Sequence, residues 1–211
     1  TVVAAILHDT IEDSDISLKQ LRKDFGDEVT FLVNGVTKVN DIKYKGVERN
    51  VESIKKMFLA VAEDIRVVVL KLYDRLHNME TLFVHPKEKQ QRIALETLDI
   101  YASLADRLGM GQLKAQLEDL SFPYVYPKEY AQVKNQLTEK IHEREKYLKE
   151  LTPIIIQELE KENIKPININ YRAKNLYSIW RKLLRNNMDW SFIKDLAAIR
   201  IIVENIEDCY A

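Results

Sequence analysis

Two short strings in this 211-residue sequence carry side chains that could do chemistry together. The first is HDTIEDSD, residues 8–15, in which His8, Asp9, Glu12 and Asp13 follow an apolar run from Val2 to Leu7. On a helix, residues four apart share a face, so His8 is expected to stack over Glu12 and Asp9 over Asp13. Ionisable groups crowded against an apolar segment are costly unless a cation or a partner offsets them. The second string is KLYDRLHNM, residues 71–79, where Lys71, Asp74, Arg75 and Asn78 interrupt an otherwise apolar stretch. Asp74 and Asn78 lie four apart and Lys71 one turn earlier, so these three point the same way. Two readings follow. Either Lys71 and Arg75 neutralise Asp74 locally, or Asp74 is the third ligand of a metal held with His8 and Asp9. A mixed nitrogen and oxygen set suits a hard or borderline cation such as Mn²⁺, and the ligand types also admit Zn²⁺, Fe or Mg²⁺.

A third feature is a concentration of charge. The chain has a formal net charge of −1, but residues 165–200 hold eight basic side chains against two acidic ones. That end of the chain expects an anion, against the plainer alternative of a basic solvated helix face.

The elements that must position these groups are mostly helices. Hydrophobic residues make up 46% of the chain and charged ones 31%, enough to build a core and to exclude disorder as the main state. Five Gly and five Pro leave few sharp turns, which disfavours a many-stranded sandwich or barrel. One cysteine, Cys209, excludes a disulfide framework, fits a reducing cytoplasmic setting, and reads as a small buried hydrophobe. No stretch approaches 18 uninterrupted apolar residues, so no membrane partner is expected.

The run at residues 1–7 reads as an apolar helix already in progress, and the chain as a fragment. Ser17 with Gln20 resembles a capping box for a helix closing at Gly26, and a short helix follows through Val36. A further helix after Gly46 carries Ile54, Met57, Phe58, Val61 and Ala62. Residues 65–79 favour a buried helix by their length, although IRVVVL alone could be a strand. Pro86 suits the first helical position of a pattern running to Leu108, which Gly109 and Gly111 break. Residues 127–163 read as a long exposed helix, or a helical pair interrupted near Pro153. PININY and LAAIRIIVE suggest strands, with the helix AKNLYSIWRKLLRN between them. His77 and His142 read as packing or surface residues, and Trp180 and Trp190 as core.

The strings AAILHDTIEDSD, DFGDEVTFLVNGVTK, KLYDRLHNMETL and IYASLADRLGMGQLKAQLEDLSF, in this order, closely resemble the RelA/SpoT family of bacterial alarmone enzymes. The resemblance implies a mainly α chain. It divides into an HD-type helical hydrolase domain over 1–125, a helical connector over 126–164, and the start of an α/β nucleotidyltransferase-like synthetase domain over 165–211. It puts Mn²⁺ on His8, Asp9 and Asp74, water activation on Glu12 and Asp13, and support of the nucleotide or of the ligand helix on Arg75 and Asn78. The implied reaction is hydrolysis of the 3′-pyrophosphate of guanosine tetra- or pentaphosphate to GDP or GTP plus pyrophosphate.

In the second half, YRAKNLYSIWRKL resembles the family's ATP-binding string, which carries over to Arg172, Lys174, Ser178 and Lys182. Asp195 matches its Mg²⁺-binding acid. Tyr171, Ala173 and Asn175 depart from the commonest Gly, Pro and His of that string, and the family's second synthetase acid lies beyond Ala211. The family's hydrolase site also uses a His from an earlier His-Pro context. His85-Pro86 follows the Asp74 helix and is not taken for it, so the fragment is expected to bind metal weakly and turn over poorly. Implied partners are the alarmones, GTP or GDP, ATP and, through regulatory domains absent here, the ribosome. Two rivals stand beside this reading: a generic HD nucleotide phosphohydrolase, and a helical regulatory module without turnover.

Overall fold

The computed structural model describes residues 1–40, 63–173, 175–193 and 197–210, without the side chains at 39–40, 138–149, 171–173 and 197–198. The chain forms two compact units, Thr1–Ser121 and Phe122–Ala211. The helix expected after Gly46 lies outside the described residues.

The first unit is helical. Helices α1 (Val2–Ile6) and α2 (Thr10–Asp13) are short, and α3 spans Leu18–Asn40. Ser17 Oγ accepts from the Gln20 amide at 3.3 Å, which is the serine half of the expected box, while the Gln20 side chain donates to Asp24 Oδ2 at 2.7 Å. Gly26, at φ 82°, breaks α3 into two helical stretches where the sequence predicted a closure, because a left-handed residue costs glycine nothing.

Helix α4 (Ile65–Glu80) carries the second chemical string. Its β-branched start is helical because Asp64 caps it, accepting from the Arg66 amide at 2.9 Å. Arg66 then pairs with Asp64 and with Glu28 of α3. The two helices also approach closely: a Cβ at Gly35 would stand 2.8 Å from Val67 Cγ2. Val67, Val68, Leu72 and Met79 are buried along α4, and so is Lys71.

Helix α5 (Lys87–Glu96) starts one residue later than expected, with Pro86 as its cap. It runs without a break into a π-helical turn, Thr97–Ala102, and then into α6 (Ser103–Arg107). The apolar pattern through Leu108 gave no sign of that wider turn. Gly109, at φ 73°, precedes α7 (Gly111–Val125).

The second unit is built on α8 (Pro127–Lys161), a single helix of 35 residues that runs through Pro153. Strands β1 (Asn168–Ala173) and β2 (Ala197–Ile202) pair antiparallel, with Arg172 opposite Ala198. Between them lies α9 (Leu176–Arg185). Ile179, Trp180 and Leu183 of α9 join Val133 and Leu137 of α8 in one core with Phe122, so the segment expected as a connector contributes to this unit's interior. Trp190 packs against the same core. Cys209 corrects the sequence reading: it is exposed, because it sits in a short helical turn at Glu207–Cys209 with no buried residue. Among the described residues no helix is long and apolar enough to cross a membrane.

Candidate metal centre

His8 lies in a turn between two short helices, so the expected stacking of His8 over Glu12 is not how the site is built. Asp9 and Asp13, by contrast, stay one helical turn apart, the Asp13 amide donating to the Asp9 carbonyl at 2.9 Å. The chain leaves α1 after Ile6, turns through Leu7–Asp9, and restarts as α2 with Asp9 as its N-cap. The break has a chemical consequence. A helix end leaves its last carbonyls without intrahelical donors, and the carbonyl of Ala5 is taken by His8 Nδ1 at 2.7 Å. A carbonyl can only accept, so Nδ1 carries the proton and Nε2 is directed away from the backbone.

Nε2 points at two carboxylates drawn from distant parts of the sequence. It lies 2.9 Å from Asp9 Oδ2 and 3.5 Å from Asp74 Oδ1. Ligand atoms of all three residues fall within 4.8 Å of one another. Yet Nε2 is buried and makes no hydrogen bond. Two donors each about 2.1 Å from a shared ion sit roughly 3.0–3.4 Å apart, close to the spacings observed. A buried, unsatisfied imidazole nitrogen beside two carboxylates, with its other nitrogen fixed by a backbone carbonyl, is a donor set that could hold a divalent cation. The residues present fit such an ion.

Asp74 is held by its own helix. Asn78 Nδ2 donates to Oδ1 at 2.8 Å, and the ammonium of the buried Lys71 donates to Oδ2. Burial opposes ionisation of Asp74, but Lys71, His8 and Arg75 outweigh it and hold the carboxyl below the usual carboxylate range. One carboxylate oxygen is thus paired with the lysine, and the other faces His8.

The sign of that shift gives a pH prediction. A depressed folded-state value means that the ionised Asp74 stabilises the fold above its unfolded value, about pH 4, and that this contribution is lost as pH falls through the lower folded value. Denaturant unfolding followed from neutral pH downward is expected to show this acid loss in the wild type and a shallower loss in Asp74→Asn. Identical slopes would contradict the pairing.

The other expected site residues are distributed as follows. Glu12 and Asp13 lie on α2, three and four positions beyond Asp9, both exposed. Arg75 turns its guanidinium into the protein: Nη2 donates to Tyr101 Oη at 2.7 Å and lies 3.4 Å from Glu96 Oε1. In the second unit, Ser178 and Lys182 share a face of α9, both half-buried. Arg172 lies in β1, while Lys174 and Asp195 fall outside the described residues. His85 is not part of the metal-ligand group found among the described residues. Sequence reasoning missed Glu96 and Tyr101, because five residues apart is not a helical-face spacing.

The comparisons with known proteins agree with this geometry. Residues 1–111 match the HD domain, a metal-dependent hydrolase domain, and residues 171–211 match the region found in RelA/SpoT proteins. The whole chain is 45% identical to the guanosine-3′,5′-bis(diphosphate) 3′-pyrophosphohydrolase of Aquifex aeolicus, covering 30% of that protein. It is 44% identical to the GTP pyrophosphokinase of Streptomyces coelicolor, covering 25% of it. Ninety-nine per cent of it aligns at 42% identity with the 3′-pyrophosphohydrolase of Borreliella burgdorferi, covering 31% of that protein. The chain thus spans between 25% and 31% of the length of these curated relatives. With an HD domain over its first half, the RelA/SpoT region at its end, and a three-residue metal-ligand group where the HD doublet meets a distant aspartate, the chain belongs to the RelA/SpoT family.

Proposed function

We propose that the protein to which this chain belongs hydrolyses the 3′-pyrophosphate of guanosine 3′,5′-bis(diphosphate) or its pentaphosphate analogue. The observation that carries the reading is the convergence of His8 Nε2 with the carboxylates of Asp9 and Asp74, in a chain similar to proteins named for that reaction.

His8, Asp9 and Asp74 hold a divalent cation, for which Mn²⁺ is the proposed ion. A bound cation of this kind makes water more acidic and offsets negative charge on the phosphate. Glu12 and Asp13, following Asp9 on the exposed α2, accept the proton that the attacking water gives up. Water oxygen bonds to the phosphorus attached to the 3′ oxygen, and the bond between that phosphorus and O3′ breaks. The 3′ oxygen takes a proton and leaves with GDP or GTP, while pyrophosphate is released. Asn78 holds one oxygen of Asp74 and Lys71 the other, so the ligand carboxylate is oriented before any cation arrives. Arg75 supports the ligand helix.

We further infer a second activity in the same protein, transfer of pyrophosphate from ATP to GTP or GDP. Its supports are the RelA/SpoT region at 171–211 and the similarity to proteins named GTP pyrophosphokinase. Arg172, Lys174, Ser178 and Lys182 would contact ATP, and Asp195 would hold Mg²⁺ with it.

The test is pyrophosphate release by the complete protein with Mn²⁺, using guanosine tetraphosphate, guanosine pentaphosphate and ordinary nucleoside triphosphates as substrates. The expected result is one pyrophosphate per GDP or GTP formed from the alarmones, and no comparable turnover of the triphosphates. Equal turnover of all substrates would indicate a general nucleotide phosphohydrolase, and none at saturating metal a regulatory module.

A further inference from the structure

We propose that Tyr101 and Glu96, brought together by the π-helical turn Thr97–Ala102, are positioning residues that set the rotation of α4 and thereby place the carboxylate of Asp74 for the metal. This rests on the metal-centre reading above and goes beyond it to residues of another helical segment.

In an α-helix, residues five apart diverge by about 140° around the axis. A π turn, bonded from each residue to the fifth along, brings them back onto one face. Glu96 and Tyr101 are such a pair, one at the entry of the turn and one inside it. Both meet a single nitrogen of α4: Arg75 Nη2 lies 2.7 Å from Tyr101 Oη and 3.4 Å from Glu96 Oε1. The guanidinium carbon also stands 4.0 Å from the centroid of the Tyr101 ring, a cation over an aromatic face.

All three side chains are largely withdrawn from water: Tyr101 is 1% exposed, Glu96 6%, and the Arg75 side chain 11%. Arg75 Nε is buried without a hydrogen-bond partner, so the contacts made by Nη2 and the ring bear the weight of holding this charge in place.

Arg75 is the neighbour of Asp74, about 100° away around α4. Any turn of α4 that lifts Arg75 from Tyr101 swings Asp74 through the same angle, away from His8 Nε2 at 3.5 Å. Lys71 and Asn78 cannot prevent this, because both ride on α4 with Asp74. Fixed points outside the helix are required; Arg66 with Glu28 and Val67 against Gly35 hold its N-terminal end, and the clamp holds it at the residue next to Asp74. π turns inside α-helices are frequent at functional sites.

The test is Mn²⁺ binding to the complete protein, read by the loss of the free-ion EPR signal and by the line shape of the bound ion, with the metal-free melting temperature measured alongside. Tyr101→Phe removes only the hydroxyl and keeps the ring under the guanidinium. It is expected to weaken Mn²⁺ binding about 10-fold and broaden the bound-ion spectrum, with turnover falling and KM for nucleotide unmoved. Asp74→Asn in the same assay is expected to abolish binding. Wild-type affinity and line shape in Tyr101→Phe, with binding lost in Asp74→Asn, would overturn the clamp and leave the metal centre standing. No Mn²⁺ binding by the wild type would overturn both. If Tyr101→Phe does not fold, Glu96→Gln replaces it: weakened binding supports the clamp, and unchanged binding overturns it.

Discussion

Replacing Asp74 by asparagine is expected to lower metal affinity and turnover by more than about 100-fold, the upper end of what loss of a mere supporting residue around a metal costs. The reason is geometric and electrostatic. The substituted side chain would keep the shape and could still accept from Asn78, but it would face His8 Nε2 with a neutral amide oxygen in place of a charged ligand.

The same substitution removes the counter-charge of Lys71, whose side chain is only 7% exposed. An ammonium left buried and unpaired costs about 3–5 kcal/mol, so the single variant should also unfold more readily. The two effects separate in the double variant Lys71→Met, Asp74→Asn. It is expected to recover most of the stability, because the buried charge is gone, and none of the metal affinity. Recovery of activity together with stability would mean that Asp74 serves the fold alone.

Adding Mn²⁺ is expected to stabilise the first unit and chelation to reverse the gain. An ion bound only by the folded state, supplied at about 100 times its dissociation constant, stabilises by about 2.7 kcal/mol, which corresponds to several degrees in melting temperature. His8→Gln should abolish this shift, while the metal-free melting temperature falls only by what the lost Nδ1 bond to the Ala5 carbonyl contributes, about 1 kcal/mol. Persistence of the Mn²⁺ shift in His8→Gln would place the ion elsewhere. Mg²⁺, Zn²⁺ and Fe²⁺ in the same titration identify which cation the site prefers.

Much of this arrangement was legible in the residues. Polar side chains interrupting apolar segments at 8–9 and at 71–78 marked the three residues whose donor atoms the fold brings within 4.8 Å of one another, since such interruptions are expensive without a purpose. Ser17 and Gly26 marked the ends of a helix through their own capping and conformational chemistry.

Other features were hidden because they depend on partners far away in sequence. The helix break after Ile6 could not be read from VVAAIL, whose residues would continue a helix, and only the break frees the Ala5 carbonyl for His8. The π turn at Thr97–Ala102 has no compositional signature, so Glu96 and Tyr101 escaped notice although they meet one arginine. The placement of residues 126–164 turned on Phe122, Tyr126 and Tyr130, which cluster with Tyr177 and Trp180 and draw the start of α8 into the second core. A charged, amphipathic texture concealed that aromatic end. Cys209 was misjudged because small apolar residues are buried on average, and average burial carries no information about a particular turn.

Whether one divalent ion binds at His8 Nε2 and the carboxylates of Asp9 and Asp74 is decided by anomalous diffraction from crystals of the complete protein grown with Mn²⁺. The predicted result is a single manganese peak in the first unit, about 2.0–2.2 Å from that nitrogen and from one oxygen of each carboxylate. A peak bound without Asp74, or manganese found only at other residues while these three side chains keep their present spacing, would contradict it.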